Sequence, residues 1–455
     1  MSQSRAHFTT HFGFLMAATG SAVGLGNIWG FPTNAASNGG GAFLVVYLLL
    51  AFLLAYPALM AELLIGRERH ANIFTALEGL SEKPLLRRSG QLLGIGGVLT
   101  ASLILSFYAI VAGWMLGKFF EALALLLGLP QLADWLGADS LGRNILCCLI
   151  FSLLTLGIVA QGVSQGIERW SERLMPLLAL ILLVLIAYVF TLPGAFTGLR
   201  VYLLPDFSRV LDPRLMISAM GQAFFSLSLG VGTMLVYGSY LHRHANIQDK
   251  DPLPKLGASV ALLDCSFAFV AGLLILPAIY VAQAQGVEVY SEAGDLVAGP
   301  QLVLQVLPNL FATLGQAGVW VGLAFFALMV IASLTSSISM LEAPVSVLSE
   351  RTRLSRKQSA SLTAVIIFAV SLLLVFNMGS LFNLVVNLTT RYGQPLLSLG
   401  LCLFAGWILF SNHRLADLRS QNPEFGQNLF WRFWPWYVRL ICPLLITATL
   451  VQSLR

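Results

Sequence analysis

A succession of long apolar segments decides what this chain can fold into. About 20 apolar residues, rising about 1.5 Å each along a helix, cross the hydrocarbon core of a bilayer, so an apolar run of about 18 or more reads as a membrane helix. About eleven such runs lie near residues 12–36, 41–66, 92–122, 145–161, 172–193, 215–240, 258–283, 316–341, 359–377, 381–411 and 434–453. Hydrocarbon offers the backbone no hydrogen-bond partner, which leaves helices and closed barrels as the spanning structures. A barrel would show segments of about ten residues with alternating polarity, and none is found in the sequence. The expected fold is an all-α membrane protein of about 11 transmembrane helices. With 57% hydrophobic and 10% charged residues, the chain lies far from the balance of a soluble domain. The longest polar stretches, such as 67–91 and 412–433, are short enough to be connections, so residues 1–455 read as one membrane domain. The first apolar run is too long, and too rich in Gly and Asn, for a cleavable signal peptide.

Lys and Arg in short loops set orientation. With the N-terminus in the cytoplasm, the inner loops collect Arg67, Arg69, Arg87, Arg88, Arg351 and Arg353 among many others, against Arg143, Arg200, Arg209, Arg214 and Arg455 outside. The net charge of +5 is thus topological, and nucleic-acid binding is excluded as a reading. The expected location is the bacterial inner (cytoplasmic) membrane, multi-pass, among membrane lipid, as a monomer or weak homodimer. Cys147, Cys148, Cys265, Cys402 and Cys442 all fall inside predicted spans, so no disulfide framework is expected. The six histidines sit near cytoplasmic ends with no Cys or carboxylate cluster at ligand spacing. They read as interfacial rather than as a metal site.

Three spans carry chemistry. The first holds GSAVGLGNIWGFP from Gly20 to Pro32, which cannot be helical throughout. An unwound stretch at membrane depth is tolerated only where it faces protein or a cavity. Its freed carbonyls can hold a cation, while half-helix N-termini attract a carboxylate. Val23-Gly24-Leu25-Gly26-Asn27 is echoed in the sixth span by Leu229-Gly230-Val231-Gly232-Thr233. An odd, five-span offset would give the second copy inverted topology; taken alone, the echo is equally accounted for by glycines that let helices pack closely. The eighth span places five hydroxyls between Ser333 and Ser339. Isolated hydroxyls bond back to their own helix, but a cluster facing an unwound segment supplies the hard oxygens an alkali cation prefers. Glu62, Asp264, Glu342 and Arg391 are ionisable at depth, and such residues are functional hypotheses by default. Asp264 must be protonated, meet a cation, or snorkel to the cytoplasmic face. Glu62 and Glu342 read as pairing within the bundle.

Those motifs, with NGGGAFLVVY at 38–47, FYAIVAGW at 107–114, GQAFFSLSLGVG at 221–232 and LTSSISMLE at 334–342, resemble the neurotransmitter:sodium symporter family, in its bacterial amino-acid transporter branch. The resemblance covers nearly the whole chain. It implies two inverted five-helix repeats with broken helices 1 and 6, at about 10–193 and 215–411, and an additional span at about 434–453. It also implies an eleven-span variant whose transport core is unaffected by the absence of a twelfth span. One sodium would meet the carbonyl of Ala22, the side chains of Asn27, Ser226 and Asp264, and the substrate carboxylate. Another would meet the carbonyls of Gly20, Val23 and Ala332 with the hydroxyls of Thr335 and Ser336. Tyr108 and the amides near Leu25 and Gly26 would hold the substrate carboxylate. The side-chain pocket would be Ile104, Tyr108, Phe225, Ser228, Val231, Ser336 and Met340. Because that pocket has no charged side chain to pair with, the implied function is Na+-coupled import of a neutral, hydrophobic L-amino acid, with no organic cofactor and no enzyme activity. Tyr47, Gln222 and Ser226 match the family's chloride ligands, but Ala268 does not and Asp264 brings a negative charge, so chloride-independent transport is expected. Gly30 stands where many relatives carry the Arg of an outer ion-pair gate, and Val386 or Asn387 where they carry its Asp, with Arg391 a substitute a turn away. An inner gate would join Arg5 to Glu350 beside Tyr240. The alternatives are a proton-coupled exchanger of the same fold, with Asp264 carrying the proton, and a non-transporting substrate sensor.

Overall fold

The computed structural model describes residues 6–204, 207–210, 212–241, 252–290, 296–297, 299–410 and 429–453. Arg5 of the expected inner gate and Arg455 lie outside the described residues. Nine helices there are long and apolar enough to cross a membrane without a break. They are α3 (Gly41–Arg69), α4 (Pro84–Leu126), α5 (Leu141–Val159), α6 (Val163–Val189), α9 (Leu253–Ala284), α10 (Gly315–Arg351), α11 (Arg356–Phe376), α12 (Leu381–Leu409) and α13 (Leu429–Val451). A tenth span consists of α1 (His11–Ala22) and α2 (Gly26–Ser37), bent by 57° at the break. The sixth apolar run is likewise two pieces, α7 (Pro213–Ser226) and α8 (Thr233–Ser239), each too short to cross alone. Up to ten of the eleven expected spans thus qualify by length and hydropathy among the described residues, and the first and sixth runs are interrupted where the glycine motifs lie.

Local chemistry sets the ends. Thr10 caps α1 by accepting the Gly13 N–H, Ser140 caps α5 through Arg143 N–H, and Ser355 with Gln358 closes a capping box on α11; each satisfies donors that a helix start leaves free. In the sixth span the break is built by positive φ: Ser228 at 52°, Gly230 at 73° and Gly232 at 78°. Glycine adopts that region at no steric cost, whereas Ser228 is held there against its preference.

The broken helices sit inside the bundle. α1 is flanked by α6, α9 and α10, and α2 lies against α9 and α7. α8 packs along α3, where Gly66 faces the Leu235 carbonyl and Gly238 faces that of Leu63 closely enough that a Cβ at either position would strike backbone. Small residues at such crossings let helices approach where lipid supplies no hydrophobic drive. All five cysteines are buried free thiols.

Candidate functional site

The two interruptions meet in the centre of the protein. α1 ends at Ala22, Val23 turns to an extended conformation (φ −71°, ψ 105°), and the chain rewinds from Gly26 as a wide π turn. The negative end of one half-helix and the positive end of the next therefore face the same space, so carbonyls and amides of opposite preference lie side by side.

On one side, Asp264 of α9 is fully buried and makes no salt bridge among the described residues. Its Oδ1 accepts from Asn27 Nδ2 at 2.7 Å, and its Oδ2 accepts from Ser226 Oγ at 2.7 Å and Tyr47 Oη at 3.4 Å. Asn27 Nδ2 also reaches Ser226 Oγ at 2.9 Å, while its Oδ1 accepts the Gly24 N–H at 3.2 Å. Three of the side chains expected around a first cation are thus in mutual contact, with Ala22 buried at the end of α1. The carboxylate does not snorkel to the surface. Gln222, matched by sequence to a chloride ligand, instead donates to the Gly26 carbonyl at 3.0 Å and accepts from Asn34 at 2.9 Å.

On the other side, Ser336 Oγ of α10 lies within hydrogen-bond reach of the Gly20 and Val23 carbonyls, at 3.3 and 3.2 Å. Thr335 Oγ1 reaches the Ala332 carbonyl at 3.0 Å, and a Cβ placed on Gly20 would stand 3.1 Å from that of Thr335. Gly20, Val23, Ala332, Thr335 and Ser336 therefore converge as one group of hard oxygens of the kind a small alkali cation binds. Ser333, Ser337 and Ser339, like Thr335, bond back to carbonyls of their own helix. Within the hydroxyl run, Ser336 reaches the carbonyls of the break, and Ser339 accepts from Ser21 Oγ of α1 at 2.7 Å.

Between the two groups, Tyr108 Oη accepts the Leu25 N–H at 3.2 Å. Gly24 lies where a Cβ would come within 2.6 Å of Ser336 Oγ and 2.8 Å of Tyr108 Oη, and Gly26 where one would come within 2.6 Å of the Phe225 ring. Ile104 stands one turn before Tyr108 on α4, and Met340 one turn after Ser336 on α10; both are buried, as are Ser228 and Val231. Ser228 Oγ donates to the Ser21 carbonyl at 3.0 Å, tying the two breaks together.

The chain matches the sequence profile of the sodium:neurotransmitter symporter family over residues 5–136 and 131–455. It belongs to that family. The sodium-dependent transporter YhdH of Bacillus subtilis is 34% identical over 459 residues, covering 98% of this chain and 96% of the relative. A sodium-dependent transporter of Haemophilus influenzae is 29% identical over 483 residues, covering 99% of each. Among solved structures, that of MhsT in complex with L-phenylalanine superposes with a TM-score of 0.81 at 34% identity, over 99% of this chain and 100% of that one. Membership makes the chain a multi-pass, sodium-using transporter.

Beyond the motifs shared with the symporter family, several supports were not read from sequence. Glu62 accepts the Gly230 N–H at 2.7 Å, and Gln394 donates to the Leu229 carbonyl at 3.3 Å, so a carboxylate and an amide hold the unwound part of the sixth span. The charge of Glu62 at membrane depth was the available signal. Glu342 is paired within the bundle as expected: Arg356 meets it at 3.0 and 2.5 Å, and Tyr240 Oη donates to it at 2.5 Å. Tyr240 is thus bound to Glu342, while Glu350 accepts from Asn72 at 3.1 and 2.7 Å. At the outer gate position, Gly30 would bring a Cβ near Gln222 alone, at 3.7 Å. Arg391 is exposed, with its guanidinium 5.8 Å from the Tyr392 ring centre.

Proposed function

We propose that the protein is a Na+-coupled symporter that imports neutral, hydrophobic L-amino acids by alternating access, independently of chloride, using two sodium ions. The observation that carries this reading is the meeting of both helix breaks between two oxygen groups, Asn27–Ser226–Asp264 on one side and Gly20–Val23–Thr335–Ser336 on the other. The buried lining of Ile104, Tyr108, Val231 and Met340 supports a neutral side chain, because a charged one would be left unpaired there. The L-phenylalanine bound to MhsT agrees with that class. Asp264 supplies a fixed negative charge beside Tyr47 and Ser226, which makes an added anion unnecessary. The core is read as two inverted repeats, at about 10–193 and 215–411, with the N-terminus in the cytoplasm of a bacterial inner membrane and the protein working as a monomer or weak homodimer. Moving two sodium ions through about 100 mV yields about 4.6 kcal/mol, enough to concentrate a zwitterion on the order of a thousandfold.

The test is uptake of labelled leucine into proteoliposomes with an imposed sodium gradient, competed by unlabelled amino acids. Uptake should require sodium and be blocked by methionine or phenylalanine. Competition by lysine or glutamate as strong as by methionine would refute the substrate class. A second reading, a proton-coupled exchanger, draws on the buried carboxylate of Asp264, which has no salt bridge among the described residues. Uptake in sodium-free medium after an acid pulse would favour it.

A further inference from the structure

Glu168, at the first turns of α6, is a buried carboxylate (2% exposed) outside the ion and substrate groups. It points at the cytoplasmic end of α1. Its Oε1 accepts from Thr9 N–H at 3.0 Å, Thr10 N–H at 3.0 Å and Thr9 Oγ1 at 2.7 Å, and its Oε2 accepts from Thr9 N–H at 2.9 Å. Thr10 is itself the cap of α1. A carboxylate thus sits at the positive end of a half-helix and accepts the N–H groups of the N-cap residue and of the residue before it, as charge-assisted bonds. Gly13 faces the same group, and a Cβ there would collide with the Glu168 carboxylate. Next to this contact, Phe8 N–H donates to the Tyr240 carbonyl at 3.1 Å, and the Phe8 ring packs edge-on against Tyr237 and Phe14.

The other end of α1 carries Gly20 and Ala22, with Val23 just beyond. Twelve helical residues make a rod of about 18 Å, so the tilt of α1 at Glu168 sets where those carbonyls fall relative to Thr335, Ser336 and Asp264. We propose that Glu168 is a positioning residue for sodium: it latches the cytoplasmic end of α1 to α6 and so holds the carbonyls of its far end in register with the ion-binding oxygens of α9 and α10. Gly13 is the space that lets the latch close. The inference rests on the sodium-coupled reading.

Two variants test it from opposite sides of the contact. Glu168→Gln keeps the shape but removes the charge, and Gly13→Ala keeps the charge but displaces the carboxylate. In proteoliposomes both should raise the sodium concentration for half-maximal uptake about tenfold, equivalent to about 1.4 kcal/mol, while uptake at saturating sodium stays within about twofold of wild type per folded protein. Hydrogen exchange over residues 9–22 should be faster in both variants without sodium and return to the wild-type rate at saturating sodium. An ordinary helix gains stability when Gly becomes Ala, so a Gly13→Ala protein with slower exchange there would overturn the proposal. So would unchanged sodium dependence in both variants, or a loss confined to the maximal rate. If wild-type uptake ignores sodium, the sodium-coupled reading itself fails; exchange over 9–22 then still decides separately whether Glu168 holds this helix end.

Discussion

Replacing Asp264 with Asn removes one charge and little else. The carboxylate accepts from Asn27 Nδ2 on one oxygen and from Ser226 Oγ on the other, both at 2.7 Å. Asn27 cannot turn over to suit an amide, since its Oδ1 already accepts the Gly24 N–H. The new amide therefore keeps its oxygen toward Asn27 and presents its NH2 to Ser226 and Tyr47, hydroxyls that can reverse and accept. Ser226 Oγ already accepts from Asn27 Nδ2 and Tyr47 Oη, so one hydroxyl proton loses its acceptor; at about 1–3 kcal/mol that cost is local, and the fold should survive. A sodium ion about 4 Å from the carboxylate is attracted by about 4 kcal/mol at an effective dielectric of about 20, an upper value of about a thousandfold in affinity. The amide oxygen retains part of that as a dipole, and the expected loss lies between about tenfold and a thousandfold. The assay is binding of labelled phenylalanine to purified protein across a sodium series, with choline holding ionic strength constant. A half-saturating sodium concentration in Asp264→Asn equal to that of wild type would refute the reasoning.

Two further outcomes follow from the same geometry. Gly24→Ala places a methyl group 2.6 Å from Ser336 Oγ and 2.8 Å from Tyr108 Oη; overpacking of this kind costs about 1–3 kcal/mol, so equilibrium binding of labelled phenylalanine should weaken by about tenfold to a hundredfold, and unaltered binding would count against Gly24 as part of the site. Replacing chloride with gluconate should leave wild-type uptake in proteoliposomes unchanged, and a strong fall in rate would contradict Asp264 as the fixed anion beside the first cation group.

The first break was legible because glycine, asparagine and proline inside an apolar run contradict both a continuous helix and exposed backbone in lipid, and the structure interrupts the span there. In the sixth span the glycines alone were equally open to close packing, and the break found at Ser228–Gly232 was expected only from the family resemblance. The hydroxyl run of α10 was legible as a group, though not in its division of labour: Ser333 and Ser337 bond back to their own helix, while Ser336 faces Gly20 and Val23. That division depends on the rotation of α10 against α1, which no local pattern encodes. Glu168 left no signal either. Its partners are backbone amides 158 and 159 residues away, and at the start of a span it looks like any interfacial carboxylate. Glu342 was flagged by its depth, yet nothing in the sequence marked Arg356, at the start of the next span, as its partner. The ion pair exists because α11 starts beside the Val159 carbonyl, to which the same guanidinium also donates. The π turns at Gly26–Gly30 and Asn387–Gly393 were likewise unmarked in sequence.

The most direct test is equilibrium binding of radioactive sodium to the purified protein in saturating L-phenylalanine, comparing wild type with Asn27→Ala and Thr335→Ala. Each variant should lose one of the ion sites that wild type fills, and the two losses should be separable. Sodium binding undiminished in both would mean that neither oxygen group holds an ion.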